Sequence, residues 1–356
     1  MIMRLGICFS AIVLFASVVF GMEELNQQTS VSPVACAYAP PGEYIKDHTL
    51  VFHDGWWHLF SISGTAGYYH GYTGNEETFS WSVSKDLVNW EFRGHVLHAS
   101  NREGTFDQHE VWAPFVLKAN DKFYMFYSGI IHPTRPMEYR KLGHKHPWVA
   151  KGHKETQGLA SSVDLTDWLK IADPVKGLEV PGRDSFVMRD VERNRWLLYS
   201  TIGTKQANVS ESQGLVVWKS LGICADFTDM DPNLDYGTTA KVMLGRNVQS
   251  WHSAESLNVI KNPISGKWIM LANWQYIVSD DLTNFKNNKA RFYDTEYKGK
   301  RVDIGFAGEM VQHDGKWYRS GCFGPRDYWK LGFTEIEWAP DGAFRIVKPN
   351  VLAEQR

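Results

Sequence analysis

His53-Asp54-Gly55-Trp56-Trp57-His58-Leu59-Phe60 sets an Asp-Gly turn directly before a run of aromatic and apolar residues. A turn of this kind followed by alternating side chains reads as a hairpin leading into a half-buried strand. The same unit returns as Asn120-Asp121-Lys122-Phe123-Tyr124-Met125-Phe126-Tyr127-Ser128 and as Arg193-Asn194-Arg195-Trp196-Leu197-Leu198-Tyr199-Ser200. It appears again as Ser265-Gly266-Lys267-Trp268-Ile269-Met270-Leu271 and last as Asp314-Gly315-Lys316-Trp317-Tyr318. A second unit follows three of these copies: Ser84-Lys85-Asp86-Leu87-Val88-Asn89-Trp90, Ser162-Val163-Asp164-Leu165-Thr166-Asp167-Trp168 and Ser279-Asp280-Asp281-Leu282-Thr283-Asn284-Phe285. Five copies spaced by about 50 to 70 residues, each with room for four short strands, predict an all-β, five-bladed β-propeller. A β-sandwich does not explain the repeat, and β-helix repeats are shorter.

Composition narrows the function. The chain has 356 residues, 38 Lys+Arg against 40 Asp+Glu and 14% aromatic residues. An apolar content of 43% at near-zero net charge excludes a disordered chain. The absence of a basic balance argues against nucleic acid as a partner. Met1-Ile2-Met3-Arg4, an apolar run from Leu5 to Phe20, and Gly21 before Glu23-Glu24 read as a signal peptide over residues 1–21. The expected product is secreted, extracellular or periplasmic, with no stable membrane association after cleavage. Residues 22–43 read as an N-terminal extension and 44–356 as the propeller. Cys36, Cys224 and Cys322 are an odd set without zinc-motif spacing, and read as three buried thiols.

An insertion at about 130–156 interrupts the rhythm with His132, His144, His146, His153 and six Lys or Arg residues. A long loop of this kind is a functional segment or a solvated one. A basic lid, a metal site and a solvated loop are the three readings, and the histidine spacing does not favour metal.

In a propeller the first strand of each blade lines the central channel. The segments preceding the five hairpin units contain Asp47, His109-Glu110-Val111-Trp112, Arg183-Asp184, Glu255 and Asp303. Asp47, Asp184 and Glu255 are expected at corresponding positions of three blades, converging on the axis. Glycoside hydrolysis requires such carboxyl groups, one as base or nucleophile and one kept protonated to donate to the leaving oxygen. Crowding like charges in a dry pocket raises the proton affinity of one of them.

At these residues the chain resembles the five-bladed propeller glycoside hydrolases, most nearly family 43, from about Asp47 to the fifth unit. Asp47-His48-Thr49-Leu50-Val51-Phe52-His53-Asp54-Gly55 is similar to that family's first inner strand, and Trp112-Ala113-Pro114 to its second-blade signature. The resemblance implies Asp47 as general base, Asp184 as the residue tuning proton affinity and orientation, Glu255 as general acid, and inversion at the anomeric carbon. It also departs: His48 stands where the family often has Pro, and Ser256-Leu257 where it often has Gly-Pro. Arg183-Asp184 resembles the Arg-Asp pair of the retaining, fructoside-acting family 32. Family 117, active on anhydrogalactose and thought to use a histidine acid, brings His252 and His109 into consideration. The fifth blade lacks the histidine that binds an axial metal in many family 43 enzymes, so no metal or other cofactor is expected.

The sequence thus predicts a secreted glycoside hydrolase whose partner is an oligosaccharide or polysaccharide. His109, Trp112, Arg183 and His252 are the candidate substrate-binding residues. Trp56, Trp57, Tyr124 and Trp268 are expected between blades, and Trp112 either stacks on a sugar or packs in the core. A retaining fructosidase-like or anhydrogalactosidase-like hydrolase, a glycan phosphorylase and a non-catalytic carbohydrate-binding propeller are the alternatives.

Overall fold

The computed structural model describes residues 31–68, 75–132, 154–172, 182–202, 206–226, 255–285, 288, 290–342 and 344–354. The signal segment 1–21, residues 133–153 of the insertion, and His252 lie outside them. The chain forms five four-stranded antiparallel sheets, each in simple sequence order, and is a five-bladed β-propeller. Blade I is β1 (Glu43–His53), β2 (Trp56–Thr65), β3 (Thr78–Ser84) and β4 (Trp90–His98). Blade II is β5 (Glu110–Ala119), β6 (Lys122–Ile131), β7 (Lys154–Ser162) and β8 (Leu169–Ala172). Blade III is β9 (Arg183–Asp190), β10 (Arg195–Ile202), β11 (Gln206–Ser212) and β12 (Lys219–Asp226). Blade IV is β13 (Asn258–Lys261), β14 (Trp268–Leu271), β15 (Gln275–Ser279) and β16 (Arg291–Phe292). A small hairpin, β17 (Glu296–Tyr297) with β18 (Lys300–Arg301), precedes blade V. That blade is β19 (Met310–His313), β20 (Lys316–Phe323), β21 (Lys330–Trp338) and β22 (Phe344–Lys348).

Each hairpin unit of the sequence is the turn between the first and second strands of a blade. In the Asp54-Gly55 and Asp314-Gly315 turns both residues have positive φ, 48° and 79° in one and 48° and 74° in the other. That is the primed two-residue turn whose twist matches its flanking strands, and Gly supplies the second position without a Cβ penalty. The Ser-x-Asp-Leu unit is the turn between third and fourth strands. Asp86 accepts the backbone N–H groups of Val88 and Asn89, while Trp90 Nε1 donates to the Leu87 carbonyl at 3.2 Å. Trp168 and Leu165 repeat the latter contact at 3.2 Å. Blade III carries an unforeseen copy, Ser212-Gln213-Gly214-Leu215-Val216-Val217-Trp218, in which Trp218 Nε1 donates to the Leu215 carbonyl at 3.3 Å.

Five buried apolar clusters fill the five junctions between neighbouring blades. Trp57 packs between blades I and V, Tyr124 between II and III, and Trp268 between III and IV, as expected. Trp56 instead lies under Lys85, whose Nζ is 4.6 Å from the ring centroid. Cys36 and Cys322 are free, buried thiols; the Cys224 side chain is outside the described set.

The segment read as an extension, 22–43, is in its described part a clasp across the I–V junction. Tyr38 and Leu331 of β21 exchange backbone hydrogen bonds of 3.0 and 2.7 Å. The Tyr38 hydroxyl meets Ser82 Oγ of β3 at 2.8 Å, and its ring stacks on Trp90 with centroids 5.8 Å apart. Asn350 Nδ2 donates to the carbonyls of Val34 and Cys36, each at 3.0 Å. All four described strands of blade V come from the C-terminal part of the chain, and this clasp joins the apolar cluster and the direct hydrogen bonds between blades I and V in closing the ring. Tyr38→Ala removes a stacked aromatic and a hydrogen bond at a half-buried site. It is expected to cost about 2 kcal/mol, read as a lower denaturant midpoint at unchanged slope.

Candidate active site

The same irregularity recurs in the inner strands of blades I–III and in the segments just before β13 and β19. One residue per blade stands in the left-handed region: Asp47 (φ 31°), Ala113 (47°), Asp184 (55°), Ser256 (55°) and Ala307 (51°). In blade I the register passes from Lys46–Ile62 to His48–Ser61, leaving Asp47 as the extra residue of a β-bulge. Bulges re-aim side chains beside active sites, and a non-Gly residue held at positive φ stores strain of about 1–3 kcal/mol. Here they turn Asp47, Ala113, Asp184, Ser256 and Ala307 onto one axial pocket, together with His48, Pro114, Ser185, Leu257, Gly308 and Glu309. Asp47 and Asp184 therefore hold the same repeat position. Glu255 does not: it lies one residue earlier, in line with Lys46, Trp112, Arg183 and Phe306, and Ser256 holds the bulge.

This offset lets Ser256 tie the acids together. Its backbone N–H donates to Asp184 Oδ2 at 3.0 Å, and its hydroxyl donates to Asp47 Oδ1 at 3.2 Å. The Glu255 carbonyl accepts the Asn273 N–H at 3.1 Å, and Asn273 Oδ1 in turn accepts the Ala307 N–H at 2.6 Å. Arg183 reaches Glu255 through Nη2 and approaches Asp184 through Nε at 3.7 Å. Its Nη1 donates to both carboxylate oxygens of Glu155, each at 3.1 Å. Four residues picked from sequence, Asp47, Asp184, Glu255 and Arg183, thus meet in one place.

The other candidates stand apart from that constellation. Trp112 is 4% exposed, packs in the cluster between blades I and II, and has Lys46 Nζ 5.1 Å from its ring centroid. The core reading describes its placement. His109 Nδ1 accepts the His132 backbone N–H at 2.9 Å, and the His132 ring meets Glu110 at 3.0 Å. His109, like Glu255 and Arg183, is not among the residues lining the axial pocket, but its bond here runs to His132 rather than to the acids.

Burial dominates the electrostatics. It pushes Asp184 up to about 8, against the pull of Arg183 and with help from Asp47 and Glu255. Burial also raises Asp47, to about 6; Lys46 opposes this and Glu255 reinforces it. Lys46 is committed to Glu76, Nζ to Oε2 at 2.9 Å, and Glu76 Oε1 also accepts the Tyr44 hydroxyl at 2.9 Å. Among the described residues, both cations beside the acids are matched by carboxylates, and the pocket balance is negative. Asp47 and Asp184 thus have separated proton affinities and stand beside Glu255, a set of carboxyls that can divide base and acid roles.

A fourth carboxyl, Glu309, lies two residues beyond the blade V bulge and accepts the Leu50 N–H at 3.0 Å. Burial raises it to about 8. A carboxyl whose folded-state affinity exceeds its ordinary value of 4.5 favours folding most below that value, and the contribution is lost as pH rises toward 8. Glu309→Gln is therefore expected to match the wild type in melting temperature near pH 5 and to exceed it near pH 9. Among the described residues, no three His, Cys, Asp or Glu side chains are grouped so as to hold a metal ion. His48 Nε2 bonds Ser320 Oγ at 2.8 Å and its Nδ1 faces Cys322 Sγ at 3.6 Å, so the protein engages both ring nitrogens. Burial and the Arg319 charge also hold its affinity for protons down to about 3.

Ser256, Glu155, Lys46, Glu76 and Glu309 were not among the sequence candidates. Ser256 was visible only as a departure from a family pattern. Lys46 and Glu309 could have been found by continuing the alignment of inner strands by one or two positions. Glu76 and Glu155 lie on the third strand or in the loop before it, where nothing in the repeat marks them.

Residues 51–216 match the family model described as Glycosyl hydrolases family 43. This stretch includes Asp184 and leaves Asp47 and Glu255 outside. A thermostable family-43 glycoside hydrolase superposes with TM-score 0.60 at 17% identity, over 90% of this chain and 97% of its own. CoXyl43, a GH43 β-xylosidase/α-arabinofuranosidase from a compost microbial metagenome, gives 0.59 at 12% identity over 91% and 98%. The Bombyx mori GH32 β-fructofuranosidase BmSUC1 gives 0.57 at 17% identity over 92% and 67%. No curated protein is significantly similar in sequence. The profile match across the first three blades, on a propeller whose axial bulges gather the acids, makes this chain a propeller glycoside hydrolase resembling family 43.

Proposed function

We propose that the protein is a secreted, inverting glycoside hydrolase acting on short neutral oligosaccharides of pentose type. The observation that carries the mechanism is the Ser256 bridge, which fixes Asp47 and Asp184 together one residue from Glu255. Asp47 takes a proton from water as the water oxygen bonds to the anomeric carbon. The carbon–oxygen bond to the leaving group breaks, and Glu255 gives its proton to the departing oxygen. Asp184 carries a proton at neutral pH, which keeps a third negative charge from the pocket, and holds the Ser256 backbone in place.

A neutral substrate is supported by the charge balance, since Lys46 and Arg183 are already paired and the carboxyls of Asp47, Asp184 and Glu309 line the pocket. Pentose is suggested by CoXyl43, whose structure contains xylotriose. Family-32 likeness keeps fructosides as the second reading, carried by the Arg183-Asp184 pair and the superposition on the silkworm enzyme. The test is product analysis after incubation with xylo-oligosaccharides, arabinofuranosides, sucrose and uronate-bearing oligosaccharides. Release of xylose or arabinose supports the proposal. Cleavage of sucrose alone, or of uronate-bearing chains alone, overturns its substrate class.

A further inference from the structure

We propose that Glu155 is a positioning residue of the hydrolytic reaction, holding Arg183 so that its charge is shared between Glu155 and Glu255. The inference rests on the proposed role of Glu255 as acid.

An acid catalyst beside an arginine faces two opposing demands. The cation favours the carboxylate that forms as the proton leaves, which helps the transition state. The same contact disfavours the protonated form that must be present at the start. Arginine stays charged throughout, so it cannot relieve the conflict by losing its own proton.

The structure shows how the conflict is moderated. Arg183 is held from the other side by Glu155, whose two oxygens both accept from Nη1 at 3.1 Å. The three side chains are nearly closed to solvent, with exposures of 12% for Arg183, 11% for Glu155 and 16% for Glu255. Little water competes for the guanidinium, so a charge on Glu155 is felt at Glu255 through Arg183. With Glu155 ionised, Glu255 can hold a proton while Arg183 keeps a full partner. When Glu255 gives that proton to the leaving oxygen, Nη2 already faces the new carboxylate. Glu155 comes from β7 of blade II, Arg183 from β9 of blade III, and Glu255 precedes β13 of blade IV. The pairing thus also fixes the acid relative to two neighbouring blades.

The test has one readout that needs no substrate. In protein labelled with 13C at the glutamate carboxyl, the Glu255 signal is assigned by its absence in Glu255→Gln. Glu155→Gln is expected to move the Glu255 midpoint down by about one pH unit, because among the described residues Arg183 is then left to Glu255 and, more distantly at 3.7 Å, to Asp184. Glu155→Asp, which keeps the charge, restores at least half of the shift. The kinetic readout follows: the basic limb of kcat/KM moves to lower pH in Glu155→Gln. At neutral pH the loss is about tenfold on xylobiose and less than threefold on 2,4-dinitrophenyl β-xyloside, or on the matching arabinofuranosides. An unmoved Glu255 midpoint, or equal losses on both leaving groups, overturns the proposal. If Glu255→Gln itself fails to distinguish the two leaving groups, the acid assignment has failed instead, and the carboxyl titration still decides the coupling.

Discussion

Asp47→Asn is expected to lower kcat by a factor of about 10³ or more while leaving the circular dichroism spectrum unchanged. Asparagine retains an oxygen at the position where Asp47 accepts the Ser256 hydroxyl, and it tolerates the left-handed backbone that the bulge demands. What it lacks is a charge able to take a proton from water. The pH profile follows from the same residue. With Asp47 raised to about 6, the charged base is lost as pH falls through that value. The acid limb of kcat/KM should therefore lie near pH 6, well above the usual carboxylate range. A loss below tenfold in Asp47→Asn would remove this residue from the role of base.

Glu255→Gln should show the second large effect, a loss of about 10² to 10⁴ in kcat/KM on sugars with poor leaving groups. Its signature is unevenness. A dinitrophenolate departs without a proton, so activated aryl glycosides should lose far less than disaccharides. Glutamine can still accept from Arg183, which keeps the arginine placed and separates loss of the proton donor from collapse of the site. A uniform loss on both kinds of substrate would mean that Glu255 orients rather than protonates.

The turn chemistry explains why so much of the fold could be read in advance. An Asp-Gly or Asn turn before an aromatic strand is a local instruction, and so is Asp86 capping the turn that ends at Trp90. Both recur because every blade must solve the same bend. The blade III copy is masked in the sequence because Gly214 stands where Asp carries the cap, although the Trp218 to Leu215 contact is preserved. The clasp was illegible for a different reason. Tyr38 finds Leu331 across nearly the whole chain, a closure imposed by the ring and encoded in neither segment alone.

The site divides along the same line. Asp47, Asp184, Arg183 and Glu255 were visible as polar residues at the starts of inner strands. Their exact alignment was not, since the left-handed position falls on Asp47, Asp184 and Ser256 and leaves Glu255 one residue before it. Trp112, on an inner strand, is open in the sequence between a sugar platform and a core residue. The bulge turns Ala113 to the pocket and leaves Trp112 packed beneath Lys46. Glu155 sits outside the inner strands altogether and acquires meaning only through Arg183.

In the proposed mechanism, water activated by Asp47 attacks the anomeric carbon directly while Glu255 protonates the leaving oxygen. Proton NMR of the anomeric signal in the first minutes of hydrolysis tests it most directly, with the substrate identified from the panel. The first product is expected to carry the inverted configuration and to mutarotate afterwards. A first product of retained configuration would contradict it, making Asp47 a nucleophile that passes through a covalent glycosyl-enzyme.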